Sequence, residues 1–135
     1  MDASYIMSTT ASNELIYINT VNCSVDKDGP SKMKSEKWES ISCVQCWHHM
    51  GVLAKYKNAD ELIVCKRISI DGVEYTISGD SSGVIRLFNF PVRQNDAKSI
   101  IMIGHDSAIS DIACVNKVVI SIDNKGNMIK WSANE

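Results

Sequence analysis

The chain has 135 residues, of which 44% are apolar, so a packed domain is expected rather than wholesale disorder. Its formal charge is −2, from 14 basic and 16 acidic residues, which argues against the clustered basic surface that a nucleic-acid partner requires. The longest apolar stretches, such as 100–103 and 118–120, fall far short of the roughly 20 residues that span a bilayer, so no membrane partner is predicted.

The N-terminal part of the chain predicts one strand between two irregular segments. Residues 1–13 are small and polar without apolar periodicity, so they are predicted to be a flexible lead-in. They lack a basic region followed by an apolar stretch, which argues against a secretory signal and predicts a cytoplasmic location. Residues 14–23 form a β-branched and aromatic strand that ends in turn residues at 26–30, and the polar segment 31–39 is predicted to be a loop.

The segment that follows has some metal-ligand character. Cys43 and Cys46 form a Cys-x2-Cys pair close to His48 and His49, and thiolates and imidazoles are zinc ligands. A structural zinc site needs a second ligand pair a dozen or more residues away, however, and only Cys65 follows. The five cysteines are also odd in number and irregularly spaced. We predict buried reduced thiols, exposed histidines, no cofactor and no metal, with Cys43 and Cys46 as the candidate ligands if a metal binds.

From residue 41 onward, short apolar runs recur with turn residues between most of them. Each run has the length of a strand, and none carries a helical stripe over three turns. The predicted strands cover residues 41–47, 51–56, 61–68, 74–78, 84–90, 100–103, 108–115, 118–122 and 127–131. The predicted fold class is therefore all-β, with antiparallel strands.

Two stretches of the chain repeat one pattern. Residues 78–88 (SGDSSGVIRLF) and 121–131 (SIDNKGNMIKW) align without gaps at an offset of 43 residues. A period of this length with about four strands is typical of a β-propeller blade, so a partial β-propeller of about two to three blades is predicted. The matched structural positions are Ser78, Asp80 and Phe88 in the first copy and Ser121, Asp123 and Trp131 in the second.

A Gly-His pair at 104–105, followed by Trp131, is the other half of the WD-repeat signature. In such blades the histidine is held by a serine or threonine and by the tryptophan, which assigns His105, Ser121 and Trp131 to a buried polar network. The usual acidic member would fall at Lys125, so Asp123 is predicted to substitute for it. A catalytic histidine is the alternative, but no nucleophile stands at a diagnostic spacing, and the chain is predicted not to be an enzyme.

A series of motifs runs through about residues 14–131. They are KWESISCV at 37–44, GVL at 51–53, DELIVCKR at 60–67, SGDSSGVIRLFNFP at 78–91 and GH at 104–105. Their order and spacing resemble the penultimate and final blades of the echinoderm microtubule-associated protein-like family. The features shared with that family are a Trp-x4-Cys-Val segment, an aromatic residue in place of Trp before a Phe-Pro exit, and a Gly-His opening of the last blade.

The resemblance implies four segments: a flexible lead-in (1–13), strands of a preceding blade (14–30), a WD-repeat-like blade (31–93) and a final blade (94–135) without its outer strand. The strand at 14–23 is the expected donor for that open edge, in cis or from a second copy, so self-association through open blade edges is predicted. The resemblance also implies a cytoskeletal scaffold whose parent protein has tubulin in microtubules as its partner.

Three functions follow from these observations. The leading prediction is a non-enzymatic WD-repeat scaffold that binds protein partners and is associated with microtubules. The predicted contact surfaces are the loops around 47–50, 71–72 and 93–96, and the predicted partner-contact residues are Trp47, His48, His49, Asp71 and Arg93. The alternatives are a WD-repeat adaptor unrelated to microtubules and a zinc-stabilised module that uses Cys43, Cys46, Cys65 and one of the two histidines.

Overall fold

The computed structural model describes residues 4–12 and 14–132. In this part of the chain, ten strands form three separate antiparallel sheets, and the helices have only three to five residues each. The structure is thus mostly β, which agrees with the predicted all-β class. Among the described residues, no helix reaches the length and apolarity needed to cross a membrane.

The first sheet contains β1 (Tyr5–Thr9), β2 (Leu15–Asn19) and β3 (Ser24–Val25), in that spatial order. β2 corresponds to the strand predicted at 14–23. It lies in the centre of the sheet, with β1 on one side and β3 on the other. The strand predicted as a donor for another sheet is therefore paired along its whole length with β1, and at Ile18 and Asn19 with β3.

β1 lies inside the segment predicted to be a flexible lead-in. Its register joins Tyr5 to Asn19 and Thr9 to Leu15. Its backbone groups are paired by β2, so the strand does not depend on an apolar period of its own. The prediction of an irregular segment is therefore wrong for Tyr5–Thr9, while residues 1–3 and 13 lie outside the described residues.

The second sheet contains β4 (Leu62–Ile70), β5 (Val73–Asp80), β6 (Val84–Asn89) and β7 (Ile100–Ile103), in that spatial order. Each strand pairs antiparallel with the next one along the chain. β7 pairs with β6 through Ile103 opposite Val84. The sheet therefore extends across the boundary predicted between segments 31–93 and 94–135.

The third sheet contains β8 (Ile109–Val115), β9 (Val118–Asp123) and β10 (Met128–Ser132). β9 is the central strand, and β8 and β10 are the edges. Within the described residues, no strand pairs with the outer edge of β10. The third sheet thus has one strand fewer than the second: β10 occupies the position of β6, and no described strand pairs with its outer edge as β7 pairs with β6.

The segment between the first and second sheets is not built from strands. It contains α1 (Gly29–Met33), a 3-10 helix (Trp47–His49), α2 (Met50–Leu53) and a second 3-10 helix (Ala59–Glu61). The strands predicted at 41–47 and 51–56 are therefore wrong, and α1 extends into the segment predicted to be the loop 31–39.

Packing explains why these apolar residues do not form strands. Val52 is fully buried and packs with Phe88, so the segment lies face-on against the second sheet. Its backbone is paired elsewhere: the Gly51 N–H donates to the Val92 carbonyl, and the Val92 N–H donates to the His48 carbonyl, both at 2.8 Å. A short apolar run by itself does not distinguish such a segment from a strand.

The opposite face of the second sheet packs against the third sheet. Their shared core consists of Val64, Ile68, Ile77, Ile85, Ile109, Ile112 and Val119. The sheets approach closely at Gly79, where a Cβ atom would lie 2.7 Å from Cγ2 of Ile109. A glycine in β5 therefore allows the two backbones to come together.

The two copies of the repeated pattern fold into the same turn. Asp80 Oδ1 accepts hydrogen bonds from the backbone N–H groups two and four residues later, at 2.9 and 3.0 Å. Asp123 Oδ1 accepts the equivalent pair, both at 2.9 Å. Each turn contains a glycine in the left-handed region, Gly83 at φ 84° and Gly126 at φ 83°. The repeat at an offset of 43 residues is thus structural as well as sequential.

These two glycines differ in their surroundings, so alanine is expected to affect them unequally. In Gly126→Ala the added Cβ atom has no neighbour within 4 Å. The free energy of unfolding is therefore expected to fall by only about 1 kcal/mol, from the strain of a left-handed backbone. Gly83→Ala adds contacts with the carbonyl oxygens of Ser107 at 2.6 Å and His105 at 2.9 Å, so about 2 kcal/mol is expected. Urea unfolding of both variants measures the difference. Equal losses would contradict the close approach at Gly83.

Candidate functional site

His105, Ser121, Asp123 and Trp131 form one chain of hydrogen bonds. His105 Nδ1 lies 2.9 Å from Asp123 Oδ2, and His105 Nε2 lies 2.6 Å from Ser121 Oγ. The Trp131 Nε1–H donates to the same Ser121 oxygen at 2.8 Å. The structure therefore brings together the residues assigned to a polar network, with Asp123 rather than Lys125 in the acidic position.

Strand geometry accounts for this convergence. Ser121 and Asp123 are alternate residues of β9, so their side chains point to the same face. His105 lies in the connection between β7 and β8, and Trp131 lies on β10 beside β9. A Cβ atom on Gly104 would lie 3.0 Å from Cη2 of Trp131, so glycine before the histidine leaves room for the indole ring.

Donor and acceptor chemistry sets the direction of two of these hydrogen bonds. The indole N–H of Trp131 can only donate, so the oxygen of Ser121 accepts it. An ionised carboxylate only accepts, so His105 Nδ1 donates its proton to Asp123, and His105 Nε2 lies within hydrogen-bond distance of the Ser121 hydroxyl. A hydroxyl, a ring and a carboxylate are thus linked with every member paired, which favours one arrangement of the sheet.

A serine, a histidine and an aspartate in this order also resemble a nucleophilic triad. Here the side chains of His105 and Asp123 are fully buried, and Ser121 is 0% exposed. The Ser121 oxygen is also occupied by the indole N–H of Trp131. In this folded state no substrate atom reaches the hydroxyl, so the geometry fits a structural network.

The carboxylate of Asp123 is strongly hydrogen-bonded. Burial by itself raises its pKa, but hydrogen bonds from His105, from Asn127 and from the Lys125 backbone together lower the pKa well below its ordinary value. The amide of Asn127 donates to Asp123 Oδ2 at 3.0 Å. One ionised carboxylate therefore holds both the turn and the imidazole.

The equivalent carboxylate in the second sheet has different partners. Asp80 Oδ2 accepts a hydrogen bond from Arg86 Nη1 at 2.9 Å and one from the Tyr56 hydroxyl at 3.3 Å. Arg86 Nη1 also lies 3.1 Å from the Tyr56 oxygen, and its guanidinium lies over the Tyr56 ring. Asp80 is 4% exposed, so an arginine and a tyrosine here satisfy the carboxylate that a histidine satisfies in the third sheet.

Ser78 and Phe88 complete the matched positions of this copy. Both are buried, Ser78 at 0% and Phe88 at 1% exposure. Phe88 has no ring N–H to donate, and Leu62 stands where the third sheet has His105. The polar chain of the third sheet therefore has no counterpart at these positions, and Phe88 packs instead in an apolar cluster with Val52 and Val92.

The prediction that His48 and His49 are exposed contacts is wrong. They are 5% and 0% exposed, respectively. The His48 ring stacks on Phe90, with centroids 5.6 Å apart and an interplanar angle of 9°. His49 Nδ1 lies 3.1 Å from the Cys43 carbonyl oxygen, and its ring meets the edge of Phe90. Both rings pack against Phe90, and the sequence pattern does not indicate this burial.

The buried His49 predicts a pH dependence of stability. Burial is the main reason that the pKa of His49 is lowered from 6.5 to about 4; the hydrogen bond to Cys43 acts against it, and the nearby His48 and Arg67 add to it. Between these pH values the unfolded chain binds the proton and the folded chain does not. The free energy of unfolding is therefore expected to fall as the pH drops from about 6.5 to about 4.

Urea unfolding at several pH values measures this slope. The variant His49→Asn keeps an N–H donor in place of Nδ1 and removes the titrating group, so its slope in this window is expected to be smaller. An unchanged slope would contradict a neutral, buried His49.

The candidate metal ligands Cys43 and Cys46 are free thiols. Cys46 and Cys65 are buried, and Cys43 is half-buried. Burial raises the pKa of the Cys46 thiol to about 11, which disfavours the thiolate that binds a metal. In the described part of the chain, no three His, Cys, Asp or Glu side chains are grouped so as to hold a metal ion. These residues therefore do not present the ligand set of a zinc-stabilised module.

Trp47 and Arg93 line a surface groove of about 710 Å³, called the Trp47 groove below. Its lining residues are Trp47, Met50, Phe88, Asn89, Pro91, Arg93, Gln94, Ala97 and Lys98. The Arg93 guanidinium lies 4.3 Å from the centroid of the Trp47 ring, in cation–π geometry. Two loops predicted as contact surfaces, 47–50 and 93–96, therefore meet at one site.

Asp71 does not line this groove. It lies in the exposed turn between β4 and β5, at φ 52°, and its carboxylate pairs with Lys117 at 3.0 Å. Sequence reasoning missed Lys98, which also lines the groove. Lys98 lies two residues after the loop 93–96, but the sequence does not show that this loop meets the loop 47–50.

No protein-family model matches the chain, and no curated protein matches it. The resemblance to a microtubule-associated family therefore rests on the sequence motifs alone.

Proposed function

We propose that the chain is a non-enzymatic scaffold for protein–protein interaction, and that its sheets are WD-repeat blades of a partial β-propeller. The observation that carries this proposal is the structural repeat. Two consecutive antiparallel sheets contain the same aspartate-anchored turn at an offset of 43 residues, and they pack face to face through an apolar core.

The buried polar network supports a scaffold rather than an enzyme. Its serine is sealed from solvent, and its histidine and aspartate are fully paired inside the sheet. The groove beside Trp47 lies on the surface and is lined by apolar and cationic side chains, a composition suited to contact with a protein. The interaction surface is therefore assigned to the loops, and the network to the framework that holds them.

The proposed partner is the cytoskeleton, specifically microtubules, and the support for this is the family resemblance of the motifs within residues 37–105. The test is co-sedimentation of the purified chain with stabilised microtubules. Actin filaments, a different cytoskeletal polymer, are the control for specificity. Saturable pelleting with microtubules alone is expected. Absence of pelleting, or equal pelleting with actin, would overturn the cytoskeletal assignment and favour a WD-repeat adaptor unrelated to microtubules.

Self-association through open edges is proposed at β10, whose outer edge has no paired strand among the described residues. Exposed Met128 lies on this edge strand, and unpaired strand edges promote pairing between chains. Light scattering on the purified chain measures its mass in solution. A discrete oligomer is expected, and a monodisperse monomer would overturn this part of the proposal.

A further inference from the structure

We propose that the Trp47 groove binds a short acidic segment of a partner protein, and that this segment places one large apolar side chain beside Trp47. This inference rests on the scaffold function proposed above and names the kind of partner that the surface fits. Three features of the groove carry it: its apolar anchor, the sign of its charges and its fixed shape.

The apolar anchor is Trp47. Its side chain lines the Trp47 groove and also an adjoining depression of about 310 Å³, called the Leu15 depression, which is lined mainly by apolar residues including Leu15 and Leu53. Met50 borders both and is 55% exposed. Tryptophan offers a large rigid surface and methionine an adaptable one, and both are typical of sites that accept an apolar side chain.

The charges that line these two depressions have one sign. Arg93 and Lys98 line the Trp47 groove, Lys34 lines the Leu15 depression, and no carboxylate lines either of them among the described residues. The depression on the other side of Trp47 differs, because Glu36 and Glu74 balance its cations. An anionic ligand is therefore expected along the first two depressions only.

Arg93 is oriented for this role. Its guanidinium lies over the Trp47 ring, with Cζ 4.3 Å from the ring centroid, so the cation is held beside the apolar anchor of the groove. Arginine held in this way presents a fork that matches a carboxylate. A ligand carboxylate at Arg93 and an apolar side chain beside Trp47 would thus be bound by adjoining groups.

The groove is already formed without a ligand. Two backbone hydrogen bonds of 2.8 Å join the loops: the Gly51 N–H donates to the Val92 carbonyl, and the Val92 N–H donates to the His48 carbonyl. In addition, Lys55 Nζ donates to the Asn95 carbonyl at 3.3 Å. A Cβ atom on Gly51 would collide with the Gln94 carbonyl, so the two loops are in close contact. A pre-formed site lowers the entropy cost of binding.

A protein segment fits these features better than nucleic acid. The chain carries a net charge of −2, and only two cations line the Trp47 groove. Nucleic acid requires an extended basic surface that neutralises many phosphates. An acidic peptide needs only a few cations when an apolar anchor supplies the rest of the affinity.

The test is fluorescence anisotropy of labelled synthetic peptides with the intact chain. The probe is a short peptide of glutamate and glycine with one central phenylalanine. Its matched controls replace glutamate with lysine or phenylalanine with glycine. The probe is expected to bind at least about tenfold more tightly than either control, and added salt is expected to weaken it because the contact is partly electrostatic.

Charge-reversed variants locate the site. Arg93→Glu and Lys98→Glu are each expected to weaken the probe about tenfold or more. Lys27→Glu changes the net charge equally at an exposed turn position that lines neither depression, and is expected to have little effect. Trp47→Phe keeps an aromatic ring, so it is expected to weaken binding less than Trp47→Ala. It also disturbs the fold less, so binding can be measured even if Trp47→Ala does not fold. Unfolding midpoints verify that each variant is folded.

Three results would overturn the inference: equal binding of the lysine peptide, an equal effect of Lys27→Glu and Arg93→Glu, or equally tight binding of a single-stranded oligonucleotide. Failure of this inference is distinguishable from failure of the proposed function. If microtubules pellet the Arg93→Glu variant as well as the parent chain while no peptide binds, the groove proposal fails and the scaffold stands. If the peptide binds but microtubules do not, the cytoskeletal assignment fails and the groove stands.

Discussion

Replacing Ser121 with alanine is expected to lower the free energy of unfolding by about 3 kcal/mol. The hydroxyl is fully buried, and it both accepts the indole N–H of Trp131 at 2.8 Å and bonds His105 Nε2 at 2.6 Å. Alanine removes both hydrogen bonds without admitting water. Each buried polar group left without a partner costs about 1–3 kcal/mol, and here two are left.

Urea unfolding measures this loss, and Ser110→Ala is the matched control. The Ser110 hydroxyl also makes one short hydrogen bond, to Asn124 at 2.5 Å, but on the exposed surface. Its removal is expected to change stability by no more than about 0.5 kcal/mol. Hydrogen exchange of the Trp131 indole proton supplies a second measurement, which Ser121→Ala is expected to accelerate. Equal losses in the two variants would show that the network does not hold the third sheet.

Ile109→Ala is expected to lower the free energy of unfolding by about 3–4 kcal/mol. Ile109 is 0% exposed and lies between the second and third sheets, in close contact with Gly79. Truncation removes buried apolar surface and leaves a cavity between two sheets whose strands hold the spacing. Neighbouring side chains such as Ile77 and Ile112 cannot close that cavity without moving their own strands.

Ile103→Ala is the matched control, because the same atoms are removed from a strand residue that is 75% exposed. Its expected loss is no more than about 0.5 kcal/mol. Thermal or urea unfolding of both variants measures the difference. If the two losses are alike, the second and third sheets do not share the core that joins them.

Strand prediction succeeded where the chain alternates and turns with a clear chemical signal. The segments at 61–68, 74–78, 84–90 and 118–122 correspond to β4, β5, β6 and β9. The turns beside these strands contain a residue with positive φ: Gly72 before β5, Gly83 before β6 and Asn116 before β9. Such turn residues restrict the backbone locally. The repeat at an offset of 43 residues also indicated the matched turns, because an aspartate and a glycine at fixed spacing satisfy the same backbone groups.

Prediction failed between residues 40 and 57, where the apolar residues bury themselves against a sheet that is formed by later parts of the chain. Val52 and Cys46 are as buried as strand residues, yet they lie in a helix and a loop. β1 was missed for the converse reason. Its residues show no apolar period, and the strand exists because β2 supplies the pairing partner.

The sites divide in the same way. His105, Ser121, Asp123 and Trp131 could be assigned to one network from the sequence, because the Gly-His pair, the repeated Ser-x-Asp pattern and the terminal tryptophan match the WD-repeat signature. The burial of His48 and His49 could not be predicted, since it depends on stacking against Phe90 from a distant loop.

The sequence by itself determined the strands of the second and third sheets and their repeated turns, because these depend on contacts between residues close in the chain or on one face of a strand. The members of the polar network, which are up to 18 residues apart, were assigned from the WD-repeat signature. Only the tertiary structure decided which face the segment 41–56 covers, that the imidazoles of His48 and His49 are buried, and that the Arg93 guanidinium lies over the Trp47 ring. These features depend on contacts between distant segments, where burial and backbone pairing outweigh local preference.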